Sequence, residues 1–127
     1  MLMTRFILTI LLITAATATA QELTVMELLQ SPRQFEGRRV TVSGYYFSDW
    51  EGHELYADLR AAKAHDWTRS IWIMSAHANI ESPIRKARIS GVFFYSRYYR
   101  PNSIFSGYGY MGMFPAALDN CTVRLIK

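Results

Sequence analysis

The chain predicts an all-β fold with short helices: a five-stranded, Greek-key barrel preceded by one N-terminal helix. Three observations carry that expectation. Segments dense in Val, Ile, Thr, Tyr and Phe recur along the chain, and the first of them alternates apolar with polar residues. Two of these segments hold a glycine in mid-run, Gly44 and Gly91, the residue type that marks a bulge or a sharp bend in a strand. Five such segments follow a single helix signal, with an insertion between the third and the fourth.

The first twenty residues are set apart. One basic residue, Arg5, precedes the apolar run Phe6–Ile13, and small residues follow up to Ala18-Thr19-Ala20-Gln21. This is the layout of a cleavable signal peptide with its cut after Ala20. The apolar run falls short of the ~20 residues that a membrane-spanning helix requires. No cysteine lies near the cut, so a lipid-modified anchor is not expected. Residues 21–127 then form one domain, expected to work outside the cytoplasm, periplasmic or secreted, with no retained membrane span.

Thr24-Val25-Met26-Glu27 is a capping box ahead of an apolar run, and Val25, Met26, Leu28 and Leu29 give a short helix with one apolar face. Pro32 ends it near Gln30 or Ser31. Phe35 is expected to pack back on the domain, and Glu36-Gly37 to turn. The first strand runs from Arg38 to Trp50, with Val40 and Val42 facing in and Arg39, Thr41 and Ser43 facing out. Glu51-Gly52 reads as a hairpin turn and His53–Leu59 as the returning strand. Arg60–Asp66 favours helix or turn, and Ser70–Met74 is the third strand. The insertion Ala76–Ala87, which contains Pro83, reads as a short helix plus loop. Arg88–Arg97 is the fourth strand and Thr122–Lys127 the fifth. Between them lies a segment rich in aromatics and glycine, from Tyr98 to Pro115, whose later part near Gly112-Met113-Phe114 is expected to pack on the barrel.

That order fits an OB-fold, a partly open Greek-key barrel whose long first strand bends so that it can pair on both sides. A different small barrel, such as an SH3-like one, is the alternative. The residues also carry a resemblance. Phe35-Glu36-Gly37-Arg38-Arg39-Val40-Thr41-Val42-Ser43-Gly44-Tyr45 resembles the Y-D-G-K-x-V-x-V-x-G-Y opening of a family of small, uncharacterised exported bacterial OB-fold-like proteins. Leu55-Tyr56, Ile71-Trp72-Ile73 and Ile89-Ser90-Gly91-Val92-Phe93 are similar to its later strand motifs. Tyr110-Met111-Gly112-Met113-Phe114 resembles its G-H-x-G-x-F, with Tyr110 where a His is usual. The resemblance spans most of residues 21–127. It implies the fold and brings no established activity or catalytic residues.

The candidate chemistry is sparse. Cys121 is the single cysteine, so no internal disulfide can form. It is expected to serve as a small buried hydrophobe, an intermolecular disulfide being the sharper alternative. Asn120-Cys121-Thr122 matches the N-glycosylation sequon, which matters only in a glycosylating lumen. Of the three histidines, His77 and Glu81 share i, i+4 spacing, and no further close His or Cys completes a zinc set. No metal or other cofactor is expected. There is no G-x-S-x-G and no Cys–His signature. Asp49, Glu51 and Glu54 gather around the first hairpin beside His53 and are read as solvated charges.

Binding is the expected role. OB-folds bind through the face of strands two and three and the loops joining strands one–two and four–five. Here those loops hold Trp50 and His53, then Tyr98, Tyr99, Arg100 and Tyr108. The rings can stack and Arg100 can hold an anionic group. The net charge of +4, one unit of it from Arg5, permits an anionic partner. Nucleic acid is disfavoured by an extracytoplasmic location and by so small a charge. The expectation is a non-enzymatic binding module for a peptide, glycan or partner protein. The alternatives are an interaction subunit of an envelope complex, docked through its apolar loop, and a small hydrolase using His53 with a hairpin carboxylate.

Overall fold

The computed structural model describes residues 21–49, 52–74 and 82–126. The proposed signal peptide, Trp50, Glu51 and the His77–Glu81 pair lie outside these residues. The elements run β1 (Glu22–Thr24), α1 (Val25–Gln30), α2 (Pro32–Phe35), β2 (Arg39–Asp49), β3 (Gly52–Tyr56), α3 (Leu59–Ala64), β4 (Ser70–Ile73), β5 (Ser82–Tyr95) and β6 (Ala116–Leu125).

The strands hydrogen-bond in the order β2-β3-β4-β6-β5, and β2 pairs again with β5, so five strands close into a barrel. β4 and β6 run parallel, and the other barrel pairs are antiparallel. This is an OB-fold-like, all-β barrel with only short helices. β1 is an extra strand laid parallel on β2, with Leu23 beside Val42. It was not expected, since its three residues are too few to show alternation.

The alternation read in the first strand holds along all of β2, with Val40, Val42, Gly44, Tyr46 and Ser48 facing in. Val40, Val42 and Tyr46 meet Leu55, Ile71, Ile73, Ile89, Phe93 and Leu118 in one core. Each such fully buried side chain contributes ~1.5–3 kcal/mol. The capping box is formed: the Glu27 amide donates to Thr24 Oγ1 at 3.1 Å, and the Thr24 amide donates to Glu27 Oε1 at 3.2 Å. It starts α1, which buries Val25 and Leu28. Pro32 opens a second short helix, and Phe35 packs on the core as expected.

Two strand boundaries need correction. β5 begins at Ser82, inside the segment read as helix plus loop. Pro83 argued against a strand there because it lacks an amide to donate. The register between β2 and β5 slips at this point, Tyr46 opposing Arg85 and Ser48 opposing Ser82, and a bulge of this kind admits proline. β6 begins at Ala116, six residues before Thr122. Ala, Asp and Asn are poor strand formers, so Ala116–Asn120 reads as loop. In the barrel the irregularity is a second bulge: Ser90 opposes Thr122 while Val92 opposes Asp119, and Asn120 takes up φ +53°. Gly91 lies opposite, close against the buried Cys121 thiol, as its mid-strand position foretold.

Among the described residues no helix is long and apolar enough to cross a membrane.

Candidate ligand groove

The loop from Ser96 to Pro115 is a folded unit built on backbone hydrogen bonds. The Phe105 amide donates to Met111 O at 2.8 Å, and Gly107 donates to Gly112 O at 2.7 Å. Tyr108 and Phe114 exchange both amide bonds, at 2.7 and 3.0 Å. Inside it, the Ser106 hydroxyl lies within hydrogen-bond reach of Ser103 O at 2.8 Å and Arg100 O at 3.2 Å, and accepts from the Arg100 amide at 3.1 Å. Phe114, fully buried, anchors the loop to the barrel against Trp72 and Trp67, with ring centroids 5.0 and 6.2 Å away. The expected packing of this segment is therefore present.

Trp72, which the sequence places only within the third strand, lies where two loops meet. Ile71 and Ile73 face the core, so alternation turns Trp72 to the outer side of β4. There Gly52, from the β2–β3 hairpin, and Gly109, from the long loop, both lie so close to the indole that a Cβ on either would collide with it. Gly109 also has φ +72°. The two loops expected to frame an OB-fold ligand thus meet over this ring.

The rest of that outer face is filled as well. Tyr56 is fully buried beneath Ala61 and Ala62 of α3, and its hydroxyl donates to Glu54. Burial, then the neighbouring Glu54, pushes the Tyr56 hydroxyl far above its ordinary pKa, so it keeps its proton. Glu54 is itself buried, which corrects its reading as a solvated hairpin charge. The expected binding face of strands two and three is thereby occupied by the protein's own side chains.

An open groove of about 610 Å³ lies instead at the end of β5, between α2 and the start of the long loop. Tyr98 and Tyr108 line it together with Tyr95, Arg33, Arg97 and Glu36. The Glu36 carboxylate accepts from the Tyr95 amide at 2.7 Å, which ties α2 to β5. The Arg97 guanidinium sits 5.2 Å from the Tyr98 ring centroid, and Tyr98 is 69% exposed. Burial, with Glu36 adding to it, raises the Tyr108 hydroxyl above its usual pKa.

The other named candidates fall elsewhere. Tyr99 does not line the groove; it is half-buried, and its hydroxyl has no hydrogen-bond partner among the described residues. Burial first, then Tyr95 and Asp66, raise its pKa. Arg100 is exposed outside the groove, its backbone held by Ser106. His53 stands on the core side of β3, opposite Ser48. Its ring stacks on Tyr46 with centroids 6.0 Å apart, and Nδ1 lies 2.7 Å from the Tyr46 hydroxyl. Burial lowers the His53 pKa against the opposing pull of Asp49. Glu54, one residue on, points to the opposite face of the sheet, so these two form no catalytic pair. Trp50 lies outside the described residues. Among those residues no three His, Cys, Asp or Glu converge on a possible metal position.

Sequence reasoning missed Arg33, Glu36 and Tyr95, which reach the groove from two other elements. Tyr98 and Tyr108 were named from the sequence, where Arg97 also stands beside Tyr98 as a basic, aromatic pair. No family model, no curated protein and no solved structure matches this chain.

Proposed function

We propose that this protein is a non-enzymatic binding module whose groove between α2 and the long loop holds an extended, anionic peptide segment. The carrying observation is the pairing of Arg33 and Arg97 with the rings of Tyr95, Tyr98 and Tyr108 in one groove. The carboxylate there, Glu36, is turned to the Tyr95 amide. Tyrosine rings supply broad contact area at small entropic cost, and arginine grips carboxylates through paired N–H donors. The signal-peptide pattern and the resemblance to exported OB-fold-like proteins support action outside the cytoplasm.

The test is a fluorescence-anisotropy titration of labelled acidic, neutral and basic octapeptides against the full chain. The acidic peptides bind; Arg97→Ala weakens them about tenfold or more, as loss of a charge-assisted contact does, and Tyr98→Ala weakens them through loss of the ring's contact area. Equal binding of acidic and basic peptides, or binding untouched by either variant, overturns the reading.

The loop's exposed apolar residues favour a second reading, docking on a larger partner. A stable complex with an envelope protein that survives Arg97→Ala and is lost on Phe105→Ser would support it over the groove.

A further inference from the structure

We propose that the tip of the long loop is a membrane-contact surface, with Ile104 and Phe105 entering the interfacial layer of an anionic lipid leaflet and Arg100 meeting its phosphates. Phe105 is 76% exposed and Ile104 51%, and Tyr110 and Met111 beside them are 44% and 43% exposed. These side chains are not displayed by default. Phe105 and Met111 both hold positive φ, at +60° and +51°, and the Phe105 amide is bonded to Met111 O. Such backbone costs of order 1–3 kcal/mol for a non-glycine residue. In that conformation both side chains stay exposed.

Charge selects the occupant. Within the loop, residues 96–115, Arg97 and Arg100 occur and no Asp or Glu. A second copy docking tip to tip would set Arg100 against Arg100, which opposes association. An anionic leaflet complements it. The order of chemistry along the loop also fits the depth profile of a bilayer. Aliphatic and aromatic groups stand at the tip, a tyrosine sits beside them, and arginines lie at the neck. The tip residues do not line the groove, so this contact stands independently of the peptide reading.

The experiment uses the full chain carrying Phe105→Trp, compared with Lys63→Trp on the exposed surface of α3, each read as the difference from the parent chain; Trp50, Trp67, Trp72 and residues 1–20 are common to all three. Vesicles contain equal parts phosphatidylcholine and phosphatidylglycerol with bromine-labelled acyl chains, or phosphatidylcholine alone. With the mixed vesicles, the indole introduced by Phe105→Trp shifts to the blue and is quenched, and that introduced by Lys63→Trp is not. Adding Ile104→Ser lowers the partition coefficient about tenfold, and adding Arg100→Glu lowers it at least about fivefold. These positions are exposed, so an unchanged melting temperature certifies the fold. Equal quenching of both indoles, or none, overturns the proposal. So does equal quenching without phosphatidylglycerol. A dimer in sedimentation that disappears on Phe105→Ser would also overturn it, by naming a second copy as the occupant.

Discussion

The barrel interior and the long loop are both well-defined, for opposite reasons. The interior is held by apolar burial: Val42, Leu55, Ile71, Ile89 and Phe93 have essentially no exposed surface. The loop is held mainly by its own backbone hydrogen bonds and a serine, and it turns Ile104 and Phe105 outward. Phe114 and Trp72 join the two, one as the loop's buried anchor and the other as the barrel ring on which the loop rests. Definition and burial are therefore separable in this molecule. A segment can be specified by hydrogen bonds while its apolar side chains stay available.

The largest expected effects test whether the anchor belongs to the interior. Phe93→Ala should cost ~3–5 kcal/mol of unfolding free energy, the usual loss for a buried phenylalanine. Phe114→Ala should cost a similar amount in the same denaturant titration. A cost under about 1 kcal/mol would show that the loop peels away while the barrel stands.

Gly109→Ala comes next. It combines a positive φ with a collision against Trp72, so it should cost more than about 1 kcal/mol and shift tryptophan emission. Unchanged emission would break the claim that the two loops meet on that ring. Thr24→Ala, on the barrel side, should cost about 1 kcal/mol through loss of the capping box.

Acid separates the regions further. Burial depresses the His53 pKa, so the unfolded chain takes up a proton that the folded one resists. Stability should fall as pH drops through ~6.5, the ordinary histidine value, towards the lower folded value. Melting curves at successive pH values should show this loss reduced in His53→Gln. An identical profile in the variant would remove His53 from the account. The smallest effect closes the series: Phe105→Ala should change stability by no more than ~0.5 kcal/mol, because the ring is solvent-exposed.

Much of the barrel was legible. Val40 and Val42 alternate with Arg39 and Thr41, and Thr24 and Glu27 stand at capping-box spacing, because these patterns rest on contacts within a few residues. The start of β6 was not legible. Asp119-Asn120 carries local turn chemistry, and pairing with β5 overrides it by absorbing Asn120 in a bulge. Pro83 misled for the same reason. Half of the groove could be read in Arg97-Tyr98 and Tyr108, but Arg33 and Glu36 lie sixty and more residues away in the chain. His53 carried the right residue type for a site, and the pairing of β2 with β3 directed it to Tyr46 instead.

The sequence by itself determined the class: period-two alternation, mid-strand glycines and a capped first helix specify a small barrel through local physics. Tertiary structure alone decided which surfaces remain open. It closed the expected strand face with Tyr56 and Trp72, and it opened a groove where α2 meets the end of β5. The physical reason is that local geometry sets which way a side chain points. What that side chain meets depends on segments brought together only when β2 pairs with β5 and the barrel closes.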